Sequence, residues 1–119
     1  MDCLFCAIAN EDITSKKIYE DELVYAFLDI HPATPGHTLI IPKKHFQDLE
    51  DIDENTLLAI LKAAKIVTRS LEDRLHCDGI TLIQNNGAPQ EVKHFHLHLK
   101  PFYSTKKEIS LEEVYQLLH

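Results

Sequence analysis

The segment His94-Phe95-His96-Leu97-His98-Leu99 constrains this chain more than any other. It alternates strictly between imidazole and apolar side chains. On an extended strand, successive side chains point to opposite faces. His94, His96 and His98 would therefore share one face, and Phe95, Leu97 and Leu99 the other. The apolar face can pack on a core. Alternate residues of a strand lie about 6.6 Å apart at Cα, so three rings can serve one site. The histidine face has three readings. It can be a solvated polar face, although Lys, Glu or Thr would serve there. It can bind metal, because His-x-His on a strand offers good ligand geometry. It can be catalytic, because imidazole is a nucleophile and proton carrier near neutral pH.

The rest of the chain supplies elements to pack on such a strand. Asp53 to His76 gives the clearest helix, since Leu57, Ile60, Leu61, Ala64, Val67, Leu71 and Leu75 keep a helical period. Asp53 is the expected N-cap, and Gly79 lies just past the expected end. Strands are expected over Lys17 to Tyr19, Leu23 to Asp29, His37 to Ile41, Ile80 to Gln84 and Lys93 to Phe102, with Pro42 limiting the third. The second is mostly apolar and so expected to be central. Cys3 to Ala9 reads as a helical turn, and Ser110 with Glu113 as the capping box of a short terminal helix. His31 to Gly36 and Asn85 to Gln90 are loops. The order implies an α+β fold: a mainly antiparallel sheet with one long helix and short terminal helices. At 119 residues, the chain is expected to form a single domain over 1–119.

The formal net charge of −7 argues against long nucleic acids as partners. A local pocket can still hold a small anion. No apolar run approaches the roughly 20 residues of a membrane span, and the start shows no secretory pattern, so a cytoplasmic location is expected. The cysteines number three, with Cys3 and Cys6 forming C-x-x-C and Cys77 apart. An odd count argues against a disulfide framework. The C-x-x-C alone can be redox-active, zinc-binding or incidental.

The pattern H-F-H-L-H-L-K resembles the signature of the histidine triad (HIT) family of nucleotide hydrolases and transferases, with Lys100 where an apolar residue is usual. Four further stretches fall in family order and spacing: Cys3-Leu4-Phe5-Cys6, Ala26-Phe27-Leu28-Asp29-Ile30, the run from Pro35 to His45, and Asn85-Asn86-Gly87. The chain is most similar to the bacterial-type branch related to nucleoside phosphoramidate hydrolases.

The resemblance implies a purine nucleotide or nucleoside phosphoramidate as partner. Its reaction is cleavage at the α-phosphorus through a nucleotidyl-histidine intermediate. His96 would be the nucleophile, with His98 and His37 as phosphate donors and proton handlers. A backbone carbonyl near His94 would hold the other nitrogen of His96. Asp29 would accept from ribose hydroxyls, or else cap its strand. Ile8, Phe27 and Ile30 would line the base, or else be plain core. Asn85, Gln90 and His98 would meet the phosphate or leaving group. Glu91 stands where some members carry Ser or Thr. Cys3, Cys6, His45 and His94 would hold a structural zinc ion. A homodimer is implied by analogy. The rival functions are dinucleoside polyphosphate cleavage, a metallohydrolase built on the three alternate histidines, and a non-catalytic nucleotide-binding or interaction protein.

Overall fold

The computed structural model describes residues 3–119. A five-stranded antiparallel sheet is built from β1 (Lys17–Glu20), β2 (Val24–Leu28), β3 (Thr38–Pro42), β4 (Gly79–Gln84) and β5 (Leu97–Phe102), in the order β1-β2-β3-β5-β4. The helices are α1 (Leu4–Ala9), α2 (Glu54–Leu75) and α3 (Leu111–Leu118). The α+β architecture expected from the sequence is the one observed.

Both faces of the sheet are covered, which explains why β2 and β3 read as continuous apolar runs. Val24, Ala26, Leu28, Ile40, Leu97 and Leu99 face α2, which contributes Ile60, Ala64, Val67, Leu71 and Leu75. Val114 of α3 closes that layer. Tyr25, Phe27, Leu39 and Ile41 point the other way and meet Phe5, Ile8 and Ala9 of α1. The long helix therefore takes one face of the sheet, and the other is left for a small helix and a site.

Several strand ends shift by one residue from the expected ones, and two boundaries and one cap differ further. The helix α2 has Asp53 at its N-cap, but the Asp53 side chain caps nothing. Its C-cap is His76 in the left-handed region (φ 56°), and Gly79 instead opens β4. The last strand starts at Leu97 rather than Lys93. β3 runs out at Pro42, which has no N–H to extend the ladder, and Phe95 donates its N–H to the Phe46 carbonyl instead. The alternation survives this break, since Phe95 enters the α2-side core while His94 and His96 lie against Phe5. The terminal capping box of Ser110 and Glu113 forms as expected.

Gly36 closes the loop that leads into β3 with φ +90°. A Cβ there would sit 2.7 Å from Leu75 Cδ1, 3.0 Å from Leu71 Cδ2 and 3.2 Å from Pro101 Cγ. Gly36→Ala combines left-handed strain with overpacking and is expected to lower unfolding stability by about 2–4 kcal/mol. Urea denaturation measures this, and an unchanged midpoint would show that the loop and Leu75 yield freely.

Candidate active site

The site lies on the α1 side of the sheet. A cavity of about 740 Å³ is bounded by α1, the end of β2, the His31–Gly36 loop and the first half of β5. That volume suits a nucleotide-sized ligand. Phe5, Ile8, Phe27, Leu39 and Val92 supply its apolar wall, and Asp29, His37, Asn85, Glu91, His96 and His98 its polar groups.

The three alternate histidines are divided by their backbone partners. His94 is fully buried, and its Nε2–H donates to the Pro42 carbonyl at 2.8 Å. Its Nδ1 faces Cys3 Sγ at 3.3 Å and Cys6 Sγ at 3.5 Å. His96 turns its Nδ1–H onto the His94 carbonyl at 2.8 Å. Its Nε2 keeps a lone pair, and the ring lines the cavity, held edge-on by Phe5. His98 follows with its ring centroid 4.9 Å from that of His96. Its Nδ1 lies 3.0 Å from His37 Nε2. The three rings thus do not converge on one ion, as the metallohydrolase reading requires.

Burial keeps these rings neutral. It lowers the His96 pKa against the opposing pull of the His94 carbonyl. It lowers that of His37 as well, and brings that of His98 down to about 4, helped by the neighbouring His96 and His37. A neutral ring with a bare nitrogen is the state a nucleophile needs.

Asp29 follows β2 and does two things. Its Oδ1 accepts from the His31 N–H at 2.8 Å, and its carboxylate lines the cavity with Oδ2 3.7 Å from His37 Nε2. Ile8 and Phe27 are both core and cavity wall, since each is buried yet faces the space. Ile30 is 66% exposed at the cavity mouth. Asn85 lines the cavity, but Gln90 does not. The Gln90 side chain is buried and donates to the Gln47 carbonyl, with its Oε1 unpartnered. Lys93 is turned onto the Gly87 and Gln90 carbonyls. Phe5 and Lys100 are lining residues to which sequence reading gave no role. Phe5 lies inside the C-x-x-C, where the cysteines draw the attention.

Beside the cavity, Cys3, Cys6, His45 and His94 bring one ligand atom each within 4.8 Å of one another. Cys6 Sγ is also 3.3 Å from His45 Nδ1. Zinc with Zn–S near 2.3 Å and Zn–N near 2.0–2.1 Å gives tetrahedral N···S edges of about 3.5–3.6 Å. The observed N···S distances of 3.3, 3.3 and 3.5 Å fit within a small adjustment. The Pro42 carbonyl fixes the His94 tautomer that leaves Nδ1 bare, as an outer-shell acceptor does for a metal ligand. Burial, with Cys3 alongside, pushes the Cys6 thiol up to about 11, a cost that a bound dication reverses. The residues present fit zinc.

Fold and site together define a class: an antiparallel α+β protein with a histidine-walled cavity next to a Cys2His2 cluster. The HIT domain family model matches residues 10–105. An uncharacterized HIT-like protein of Methanocaldococcus jannaschii is 42% identical over 109 residues, covering 90% of this chain and 84% of that one. The adenosine 5′-monophosphoramidase of Saccharomyces cerevisiae is 43% identical over 101 residues, covering 83% of this chain and 61% of that one. A zinc-bound histidine triad family protein from Mycobacterium smegmatis superposes with a TM-score of 0.89 at 39% identity, covering 99% of this chain and 91% of that chain. The chain belongs to the HIT family.

Proposed function

We propose that this chain is a single-domain hydrolase that cleaves nucleoside phosphoramidates through a covalent nucleotidyl intermediate on His96. The observation that carries this reading is the His96 ring. Its Nδ1–H is spent on the His94 carbonyl, and its bare Nε2 belongs to a buried, neutral imidazole at the wall of a nucleotide-sized cavity. The similarity to a yeast phosphoramidase supports the choice of leaving group. Nε2 would attack the α-phosphorus as the P–N bond breaks, and the amine departs with a proton from solvent. The His94 carbonyl stabilises the imidazolium that results. Water then attacks phosphorus, the P–Nε2 bond breaks, and a proton returns to solvent. His98 would flank the phosphoryl oxygens, held from behind by His37, with Asn85 near the leaving group. Burial of Gln90 leaves it a loop-holding role rather than a substrate contact.

Asp29 would accept from the ribose diol, with Ile8, Phe27 and Ile30 around a purine base. The test is turnover of adenosine 5′-phosphoramidate and its 2′-deoxy analogue by wild type and Asp29→Asn. Loss of one charge-assisted hydrogen bond is worth about 1.5–3 kcal/mol. Asp29→Asn is expected to raise KM by roughly tenfold or more and to narrow the ribose preference. No turnover by the wild type would end the hydrolase reading, and an unchanged ribose preference would end the role of Asp29.

Cys3, Cys6, His45 and His94 would hold zinc as a closed structural site, pinning the chain start to the sheet. No helix among the described residues is long and apolar enough to cross a membrane. Cysteines kept as zinc ligands (Cys3, Cys6) or outside any disulfide (Cys77) would suit a reducing, cytoplasmic setting. A homodimer is supported by β4, which stands at the sheet edge with Leu82 half-exposed, and by exposed Leu58 and Leu61 on α2. An open edge of that kind invites a second strand. Sedimentation equilibrium is expected to show a dimer that Leu82→Asp weakens by at least tenfold. A monomeric wild type at micromolar concentration would rule it out.

A further inference from the structure

His37 and His98 meet ring to ring beside Asp29. The backbone N–H of Ala33 lies 3.1 Å from His37 Nδ1 and donates to it. A backbone amide can only donate, so His37 Nδ1 is bare and the ring proton sits on Nε2. That Nε2 lies 3.0 Å from His98 Nδ1, while Asp29 Oδ2 is more distant at 3.7 Å. The Nε2–H of His37 therefore donates to His98 Nδ1, which must also be bare. The His98 proton is left on Nε2. A second proton on either ring would set two N–H groups face to face, and burial independently disfavours it.

The same three side chains look like a metal site. Asp29, His37 and His98 each offer a ligand atom within 4.8 Å of the others. Two histidines and one carboxylate form a set that suits divalent transition metals. A metal ion here needs a lone pair on His37 Nε2. The proton displaced from it would go to Nδ1, directly against the Ala33 N–H. His94 is wired the opposite way, with a carbonyl on Nε2 and Nδ1 bare toward two thiols. A carbonyl at one ring and an amide at the other thus decide which histidines can take metal.

We propose that the Ala33 N–H is a positioning group that fixes His37 and His98 as Nε2–H tautomers. His98 then meets a ligand as a hydrogen-bond donor, and the Asp29–His37–His98 cluster rejects metal ions. His37 holds His98 in place and cannot pass it a proton without becoming an anion. The catalytic meaning of this lock rests on the hydrolase reading, whereas the tautomers and the metal content do not.

Long-range ¹H–¹⁵N correlation spectra of the labelled full chain at neutral pH test it, with His37→Gln and His98→Gln assigning the rings. Both Nδ1 atoms are expected to resonate as bare nitrogens and both Nε2 atoms as N–H. An N–H signal at Nδ1 of either ring overturns the proposal. Dialysis against excess Zn²⁺ is the second arm. Wild type and Ala33→Gly, which keeps the N–H, are expected to hold no ion at this cluster. Ala33→Pro, which lacks the N–H, is expected to gain one ion per chain. A wild-type ion that His37→Gln removes overturns the proposal, as does a folded Ala33→Pro with wild-type tautomers and metal content. If Ala33→Pro fails to fold, the wild-type spectra decide. Absent turnover with these tautomers present would sink the hydrolase reading alone.

Discussion

His96→Ala is expected to reduce kcat/KM on adenosine 5′-phosphoramidate by about four orders of magnitude or more, the scale of losing a covalent nucleophile. The fold should survive. His96 is 4% exposed against Phe5, and trimming one buried ring costs about 1–3 kcal/mol, less than a domain of this size holds. Thermal melting separates lost chemistry from lost structure. His98→Ala should cost less, about 10²–10³, because it removes a phosphate donor and leaves the attacking nitrogen in place. Wild type incubated with α-phosphorus-labelled substrate and quenched in alkaline denaturant should retain a label that acid then releases, and His96→Ala should retain none. Full activity in His96→Ala would move the nucleophile elsewhere. Ligand binding without turnover in the wild type would favour the binding-protein alternative.

Removing the metal should act on stability first. Cys3 and Cys6 come from the start of the chain, His45 from the segment after β3, and His94 from the approach to β5. A zinc ion on these four ligands would close loops spanning most of the sequence. Structural zinc contributes apparent energies of about 10–16 kcal/mol in small peptides that cannot fold without it. This chain has a two-sided hydrophobic core of its own, so the expected loss is smaller. Cys6→Ala or exhaustive chelation should lower Tm by roughly 10–20 °C, corresponding to about 3–4 kcal/mol for a domain near this length. Metal analysis should give about one zinc per wild-type chain and well below that for Cys6→Ala. Turnover of the folded fraction should fall by less than about tenfold, through loosening of the His94 carbonyl that holds His96. Loss of turnover with an unchanged Tm would instead overturn the structural role of the metal.

The division of labour between neighbouring histidines bears on how activity is engineered or lost. His94 and His96 are two residues apart, yet one faces thiols and the other the cavity. Substitution at His94 should therefore combine a stability defect with a displaced nucleophile. Substitution at His96 should remove the nucleophile at a smaller cost in stability.

Local periodicity was enough to place the elements. The period-two run from His94 to Leu99 separated the histidine face from the core face, because side-chain direction on an extended chain depends only on parity. The helical repeat from Leu57 to Leu75 identified α2, and Ser110 with Glu113 announced α3. The cluster of Cys3, Cys6, His45 and His94 was legible only through family resemblance, as spacing alone left the C-x-x-C open. Tertiary structure decided the rest, for one physical reason. Which nitrogen of an imidazole is bare depends on the group that meets the other nitrogen, and that group is distant in sequence. The Pro42 carbonyl, 52 residues away, turns His94 toward the thiols, and His37, itself oriented by Ala33, sets His98 from 61 residues away. Gln90 shows the converse. The family resemblance implied a phosphate contact, but the Gln90 amide donates to the Gln47 carbonyl and the residue does not line the cavity.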